Sequence, residues 1–523
     1  MVQTVLADSV ATRADRFAAS WQPNAPTAQG HNQTWLDADH DVTIAEMAHC
    51  DAPFALAVTD SDGLRLARDP IGHRSVYWSQ LPDKTVVFGS SIHGVVADPR
   101  VPRQLDLLAV ADYLAYSYVP SERTLIAGIH SLAAGALRHF RAETATQTQF
   151  WSLPAVPPQF ASEPYLRDQL RATLEQAVRR ALPTGPVCAT LSGGIDSSLV
   201  LALACRLRAE PIDCLSVSFG REHANELPFS QLVAQHLGAA QQVVEVSAND
   251  IATHFDATVG ALSEPNGDPL TVPNYLLFQR AAQLGGVVLN GEGGDPCFGG
   301  PKNAPMLLAA LLGDDEAPLD RERNYLRAHQ RLYDDLPTML TPRMLDAVAD
   351  SRLQSELSPW FCDPRWPGLL DQLMAINVSF KGAHHILPKV DHLSFAHGCS
   401  PRSPLFDKQL VQLSMQIPAQ LKRSGAIEKY LLKQAVRDLL PPAIVDRPKS
   451  GMLVPVESWF SGPLLPFAKE RLLDGLAPLD LVRRDWLEKL LANRLGGLRP
   501  RRGIKIWQLL TLEAWLRTMG VQA

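Results

Sequence analysis

The chain has 523 residues, 46% of them hydrophobic and 20% charged, which is typical of a globular protein with two or more domains. Its formal net charge of −6 argues against a general nucleic-acid-binding protein, and it has no run of about 20 apolar residues that would cross a membrane. The seven scattered cysteines form no Cys-x-x-Cys pair and no apolar leader is present, so we expect a cytoplasmic protein with reduced thiols and neither a zinc site nor a disulfide framework.

Residues 1–155 have the pattern of a β-rich domain. Two short apolar segments flank a turn and predict a β-hairpin, and two further strands and a helix follow. The predicted strands cover 54–58, 64–68, 76–78 and 85–88, and the predicted helix covers 105–116. The Pro- and Gln-containing segment 154–159 marks the boundary with a second domain, residues 160–523.

The second domain begins with an amphipathic helix over 165–182 and continues with strands that alternate with helices. This alternation predicts a parallel, doubly wound sheet. The predicted strands cover 187–190, 214–219, 243–246 and 287–289, and the helices between them cover 199–207, 229–237 and 275–283. Residues 306–380 and 404–523 are expected to be mainly helical.

A glycine-rich loop connects the first of these strands to its helix. Its residues are Leu191, Ser192, Gly193, Gly194, Asp196, Ser197 and Ser198. Unpaired N–H groups and the helix dipole favour an anion at such a helix start, and glycines let the backbone approach it closely. Asp196 suits a Mg²⁺ ion that bridges phosphate oxygens. The loop therefore predicts a pyrophosphate site, which is not of the Walker type because no Gly-Lys-Ser/Thr follows; an ordinary Gly-Gly turn is the alternative interpretation.

A second glycine-rich loop follows the last predicted strand, at 290–300. Ligands of doubly wound sheets bind at the carboxyl ends of the strands, so we expect both loops at the same edge. Asp295 would then be a second Mg²⁺ ligand opposite Asp196, and Glu292 could relay protons from an attacking amine. The alternatives are that Asp295 caps a helix and that Glu292 is a solvated loop residue.

The Ser-Gly-Gly-Ile-Asp-Ser-Ser loop at 192–198 resembles that of the PP-loop ATP pyrophosphatases, and together with Gly-Glu-Gly-Gly-Asp at 291–295 it resembles the asparagine synthetase superfamily. Further segments with the family's pattern lie at 67–72, 124–135, 264–273, 389–407, 428–433 and 447–451. The resemblance covers residues from about 50 to about 520. It implies an α/β protein with an N-terminal Ntn-hydrolase-like α+β sandwich, similar to a type 2 glutamine amidotransferase domain, and a doubly wound PP-loop domain with helical additions.

In that family ATP adenylates a carboxylate with release of pyrophosphate, and ammonia or an amine then attacks the acyl-AMP to form an amide. The resemblance implies that the first-loop residues named above and Gly291 bind ATP and pyrophosphate, and that Asp196 and Asp295 bind Mg²⁺. It also implies that Glu292 and Lys449 are catalytic. Lys449 would stabilise charge on the phosphates and on the tetrahedral intermediate.

Asparagine synthetases release ammonia from glutamine with an N-terminal cysteine whose own α-amine serves as the base. This chain begins Met1-Val2, its Cys50 is internal, and the family's Asn-Gly-Glu-Ile-Tyr-Asn glutamine-binding segment is missing. We therefore expect that the N-terminal domain has lost its glutaminase activity and is structural.

Two related groups with the same loss, the β-lactam synthetases and the lasso-peptide cyclases, use an amine of the substrate itself. Where this chain has Glu292, β-lactam synthetases carry a tyrosine and some lasso cyclases a histidine, so Glu292 is the asparagine-synthetase-like residue. Pro296, Cys297 and Ser400 depart from the family pattern. We expect these departures to lie on the side of the site where the carboxylate that accepts the amine binds. The identity of that carboxylate substrate therefore stays open.

The leading interpretation is an ATP- and Mg²⁺-dependent amide ligase that joins a small-molecule or peptide carboxylate to ammonia or a substrate amine without its own glutaminase. An intramolecular cyclase is the alternative among enzymes, and a non-catalytic nucleotide-binding or interaction protein is the alternative of another class. The acidic charge and the lack of paired cysteines disfavour a PP-loop tRNA-modifying enzyme. We expect no nucleic-acid or membrane partner, a homodimer is compatible with the sequence, and we take the adjacent His384 and His385 as structural.

Overall fold

The computed structural model describes residues 4–6, 44–60, 63–141, 144–157, 159–223, 226–300, 303–304, 306–307, 318–448, 451–496 and 501–521. Within these residues, an N-terminal part with two sheets packs against a C-terminal part built around one parallel sheet. In the same ranges, no helix combines the length and the hydropathy that crossing a bilayer requires.

The N-terminal part is a sandwich of two four-stranded sheets. Its strands are β1 (Thr4–Leu6), β2 (Ala55–Asp60), β3 (Gly63–Arg68), β4 (Tyr77–Gln80), β5 (Val86–Gly89), β6 (His130–Ser131), β7 (Ala136–Phe140) and β8 (Ala145–Gln149), and its helices are α1 (Ile44–His49), α2 (Ile92–Val96) and α3 (Leu107–Tyr116). The strand orders are β1-β5-β4-β6 and β2-β3-β7-β8. Alternation along β3 explains the layers, because Leu64 and Leu66 pack between the sheets with Trp78, whereas Ala67 packs with Met47 of α1. The predicted hairpin corresponds to β2 and β3, which pair antiparallel.

A five-stranded parallel sheet forms the centre of the C-terminal part. Its strands are β9 (Cys188–Thr190), β10 (Asp213–Ser218), β11 (Gln241–Glu245), β12 (Val287–Leu289) and β13 (Ser400–Arg402), and the preceding and connecting helices are α4 (Glu163–Ala181), α5 (Ile195–Leu207), α6 (Leu227–Leu237), α7 (Ala248–Gly260) and α8 (Thr271–Ala282). The order β11-β10-β9-β12-β13 reverses the winding between β9 and β12. Helices cover both faces, so the sheet is doubly wound as predicted.

The sequence pattern did not predict α7 or β13. Helix α7 begins with a capping box in which Ser247 Oγ accepts a hydrogen bond from the Asp250 N–H at 3.2 Å and Asp250 Oδ2 accepts one from the Ser247 N–H at 2.8 Å. Strand β13 contains Pro401 at its centre, which argues against a strand in the interior of a sheet. Because β13 lies at the edge of the sheet, Pro401, which has no backbone N–H, removes no hydrogen bond between strands.

The rest of the described C-terminal part is mainly helical, as predicted. The α-helices are α9 (Gly294–Phe298), α10 (Pro318–Ala328), α11 (Leu336–Met339), α12 (Pro342–Val348), α13 (Ser358–Phe361), α14 (Leu369–Ala375), α15 (Leu387–Phe395), α16 (Lys408–Gln416), α17 (Ala419–Lys422), α18 (Tyr430–Ala435), α19 (Pro442–Val445), α20 (Val456–Trp459), α21 (Leu465–Glu470), α22 (Arg484–Leu491) and α23 (Arg502–Met519). Short 3₁₀ turns, a π-helical segment at Arg471–Leu476 and a small hairpin of β14 (Arg423–Ser424) and β15 (Ile427–Glu428) complete it. A second π-helical segment, Ile376–Ile386, joins α14 to α15 in one continuous helix.

The N-terminal part docks on this continuous helix through buried polar contacts. Arg68, which is 1% exposed, donates hydrogen bonds to the carbonyl oxygens of Gly72 at 2.9 Å and of Ala383 at 2.8 Å. Arg74 forms a buried ion pair with Asp391 of α15. The helix is therefore held from both parts of the molecule.

Candidate active site

The first glycine-rich loop joins β9 to α5, in the position that its pattern predicts. Gly193 has a φ of +78°, and a Cβ atom there would lie 2.5 Å from the backbone nitrogen of Ser230, so the position requires glycine. Gly194 precedes the first turn of α5, and no side chain caps this helix. No side chain therefore competes with an anion for the first N–H groups of α5.

The hydroxyl groups of this loop are organised before any ligand binds. Ser197 Oγ accepts a hydrogen bond from the Ser192 N–H at 3.1 Å and lies 3.0 Å from Ser192 Oγ. Leu191 is buried, and its N–H donates to the carbonyl oxygen of Leu215 on the neighbouring strand at 2.8 Å. Ser198 Oγ is buried and has no hydrogen-bond partner among the described residues. The loop thus offers donors in a fixed arrangement.

The second glycine-rich loop, between β12 and α9, lies directly against the first. A Cβ atom at Gly291 would lie 2.5 Å from the backbone nitrogen of Ser197, and one at Gly294 would lie 2.1 Å from Asp196 Oδ1. Such distances are far below van der Waals contact, so glycine is needed at both positions. The structure brings together the two loops that we expected at one edge of the sheet.

Asp196 and Asp295 share one ammonium group. Lys429, which immediately precedes α18, donates to Asp196 Oδ1 at 2.7 Å and to Asp196 Oδ2 at 2.6 Å, and its Nζ lies 2.5 Å from Asp295 Oδ1. The side chain of Lys429 is 1% exposed. Our sequence analysis included Lys429 only within the segment 428–433 and missed it as a site residue. The family pattern at 428–433 was the available signal, but nothing in it links Lys429 to Asp196, which lies 233 residues away along the chain.

This arrangement fits a bound Mg²⁺ ion. Nowhere in the described ranges do three or more His, Cys, Asp or Glu side chains form a metal-binding group, so an all-protein cage is not indicated there. Mg²⁺ usually takes one or two carboxylates and completes its shell with phosphate oxygens and water. Asp196 and Asp295 match that requirement, and the Lys429 ammonium stands where a cation would lie.

Glu292 presents a free carboxylate beside a buried cation. Its N–H donates to Asn290 Oδ1 at 3.0 Å, and its partly exposed side chain forms no hydrogen bond or ion pair with the residues that the structure describes. Lys389 of α15 is buried and donates to Asp268 Oδ2 at 2.7 Å. Burial would lower the pKa of Lys389, but the charges of Asp268 and Glu292 raise it above its usual value. The site therefore contains a second cation, Lys389, which the sequence analysis also missed.

A small cavity of about 30 Å³ lies between the N-terminal and C-terminal parts and reaches Lys389. Glu264 and His384 also line it. Burial raises the pKa of Glu264 well above its usual range, and burial with the nearby Arg68 lowers the pKa of His384 to about 3. Burial also lowers the pKa of His385 well below its usual value, so both histidines are neutral at neutral pH.

The sequence also predicted Lys449, Cys297 and Ser400 at or near this site. Lys449 lies outside the described residues. Cys297 is fully buried, and its Sγ donates to the carbonyl oxygen of Leu405 at 3.4 Å. Ser400 starts β13 opposite Val287, at the end of the strand away from Glu292. The effect of these two residues on the acceptor substrate stays a prediction.

Comparison with known proteins agrees with the geometry. The asparagine synthase family model matches residues 169–517, and a glutamine amidotransferase domain model matches residues 35–151. A putative glutamine-hydrolyzing asparagine synthetase of Mycobacterium tuberculosis strain H37Rv is 26% identical over 79% of this chain and 68% of its own length. The glutamine-hydrolyzing asparagine synthetase 1 of Bacillus subtilis strain 168 is 22% identical (86% and 74% covered), and the carboxyethyl-arginine beta-lactam-synthase of Streptomyces clavuligerus is 25% identical (76% and 64% covered). Because the synthase model spans more than half of the sequence, this chain belongs to the asparagine synthase family.

Proposed function

We propose that this chain is an ATP-dependent amide ligase that adenylates a carboxylate, releases pyrophosphate, and transfers the acyl group to ammonia or to a substrate amine without a glutaminase of its own. The observation that carries the proposal is the contact between the two glycine-rich loops. This contact places Asp196 and Asp295 around a single cation, while Glu292 on the second loop keeps a free carboxylate.

The first loop is proposed to hold the phosphates. The N–H groups at the start of α5, the hydroxyl groups of the loop and the close backbone approach at Gly291 suit the β- and γ-phosphates of ATP. The residues proposed for this role are Leu191, Ser192, Gly193, Gly194, Asp196, Ser197, Ser198 and Gly291. Asp196 and Asp295 would hold Mg²⁺, which neutralises phosphate charge when it is bound.

Glu292 is proposed to accept a proton from the attacking nitrogen. Its carboxylate accepts no hydrogen bond from the described residues, so both of its oxygens can accept an N–H of the attacking amine. Lys449 is proposed to stabilise negative charge on the phosphates and on the tetrahedral intermediate, a role that suits a permanent cation.

The N-terminal domain, residues 1–155, is proposed to be structural. Cys50 is the sole cysteine of these residues, and its N–H donates to the carbonyl oxygen of Glu46 at 3.0 Å, so it has no free α-amine to serve as a base. Burial also raises the pKa of the Cys50 thiol, which disfavours the thiolate. The purified protein should therefore release no glutamate from glutamine; glutamate release above that of a Cys50→Ala variant would contradict this proposal.

The decisive experiment measures pyrophosphate and AMP formation from ATP. The substrates are aspartate with ammonia, other small carboxylates with ammonia, and peptides with a free N-terminus and an acidic side chain. Pyrophosphate release that requires a carboxylate and is abolished in Asp196→Asn supports the ligase. No release with any member of the panel would contradict it and favour a non-catalytic protein.

The same assay tests the second candidate, an intramolecular amide cyclase. The similarity to the carboxyethyl-arginine beta-lactam-synthase favours this candidate. A cyclase would release pyrophosphate and form a cyclic product from one substrate without added ammonia. Amide formation from aspartate and ammonia would exclude an obligate cyclase.

A further inference from the structure

Lys429 fills the space between the two carboxylates that are proposed to bind the metal. Three carboxylate oxygens lie within 2.7 Å of its Nζ: both oxygens of Asp196, which accept hydrogen bonds, and Asp295 Oδ1, which forms an ion pair. The side chain is 1% exposed, so water does not share these contacts to any large extent. The ammonium group is fully engaged by Asp196 and Asp295.

The backbone of Lys429 indicates that this placement is built into the fold. Its φ is +55°, in the left-handed region that a side chain other than glycine rarely adopts. Such strain concentrates at functional sites, where the surroundings enforce it. Here the next turn holds the backbone, because the Lys433 N–H donates to the Lys429 carbonyl oxygen at 2.9 Å and Lys433 pairs with Glu428 at 3.1 Å.

A metal ion and the ammonium group would compete for the same oxygens. Mg²⁺ binds carboxylate oxygens at about 2.0–2.1 Å, so it needs the position that Nζ now takes. Asp196 Oδ1 lies close against the backbone of Gly294, where an added Cβ atom would be only 2.1 Å from it, and both Asp196 oxygens face the Lys429 ammonium group. A metal ion can therefore enter only when Lys429 leaves, and a buried ammonium that loses both carboxylates needs another negative partner.

We propose that Lys429 is a positioning residue that occupies the metal site in the free protein, so that a divalent cation enters only together with the negative charge of a nucleoside triphosphate. This inference rests on the proposed ATP site. Its consequence is an order of binding in which the metal arrives as the nucleotide complex, and the two carboxylates stay pre-oriented until then.

Mn²⁺ binding to the full-length protein, followed by electron paramagnetic resonance, tests this order without any turnover. Wild-type protein should bind Mn²⁺ at this site with α,β-methylene ATP and not without it. The Lys429→Met variant should gain a nucleotide-independent site, at least about tenfold tighter than any wild-type site, within the usual range of coupling between two ligands. Asp196→Asn in the Lys429→Met background should remove the gained site. Lys505→Met, which also removes a buried lysine from an ion pair but whose partner is Asp335, is the matched control and should behave as wild type.

Two results would overturn the inference: wild-type protein that binds Mn²⁺ alone through Asp196, or a folded Lys429→Met variant that gains no site. If Lys429→Met does not fold, the wild-type protein alone decides. Mg²⁺ without nucleotide should then raise the thermal midpoint of the wild-type protein by no more than it raises that of Asp196→Asn. Mg²⁺ with the analogue should raise the wild-type midpoint further. If the analogue binds to no variant, the proposed function fails, while the metal comparison still decides the role of Lys429.

Discussion

A single added methyl group tests the contact between the two glycine-rich loops. A Cβ atom at Gly294 would lie 2.1 Å from Asp196 Oδ1, 2.2 Å from its Cγ and 2.9 Å from its Cβ. Favourable contacts between heavy atoms begin near about 3.5 Å, so in Gly294→Ala either Asp196 or the second loop must move. Asp196 is not free to move, because both of its oxygens accept hydrogen bonds from Lys429.

The expected cost follows from this overlap. Overpacking of a tightly packed region destabilises by about 1–3 kcal/mol, and we expect a loss of that size for Gly294→Ala. Displacement of a reacting or ligating group by about 1 Å costs about 100-fold in rate, so pyrophosphate release should fall by about that factor. Gly185, just before β9, is the matched control: no atom lies within 4 Å of a Cβ there. Gly185→Ala should keep activity and stabilise by about 0.4–1 kcal/mol or less.

The assays are pyrophosphate release for activity and urea unfolding for stability. Wild-type activity and stability in Gly294→Ala would refute the contact between the loops. A destabilised variant with full activity would confirm the contact and refute the metal-binding role of Asp196. Equal losses in Gly294→Ala and Gly185→Ala would show that the effect does not depend on the overlap.

Three other variants test separate parts of the site and the fold. Glu292→Gln should lower amide formation by about 10²- to 10⁴-fold, measured with saturating amine, while ATP binding persists. Lys389→Met leaves the partly buried Asp268 without its cation and should destabilise by up to about 3–5 kcal/mol in urea unfolding, and a second change, Asp268→Asn, should restore part of the loss. Burial and the charge of Glu356 raise the pKa of Asp112 to about 8 in the folded protein. Below its unfolded pKa of about 4 the carboxyl group is protonated in both states and does not lower the stability of the fold. As the pH rises from about 4 to about 8 the unfolded state loses this proton more easily than the folded state, so the folded protein becomes less stable. Asp112→Asn should therefore match wild type near pH 4 and be more stable by a few kcal/mol near pH 8.

Local signals explain why much of the fold could be predicted from the sequence. The hairpin of β2 and β3 and the unit of β9, glycine-rich loop and α5 each lie within a short segment, where periodicity and turn residues carry the information. The position of the second loop followed from one topological rule, because neighbouring parallel strands end at one edge. These signals placed Asp196 and Asp295 at the same edge.

The lysines of the site could not be predicted in the same way. Lys389 lies 121 residues from Asp268, and Lys429 lies even further from Asp196, so neither pair has a spacing that a pattern could show. The packing of the continuous helix and of the segment before α18 in the folded protein brings these two lysines to the site. The burial of Cys297 is a similar case, because its position two residues after Asp295 does not show that its side chain is fully buried in α9.

Lys429 and Lys389 lie in two different parts of the site, and different helices hold them in place. Lys429 lies next to α18 and acts on the carboxylates facing the proposed phosphate loop, whereas Lys389 lies on α15 beside Glu292. The N-terminal part contacts the helix of Lys389, because Arg74 pairs with Asp391 one turn or less from Lys389 on the same helix. A domain without glutaminase activity would then still hold the helix that carries Lys389. On the proposed function, this contact explains how the N-terminal part can serve amide formation without supplying ammonia.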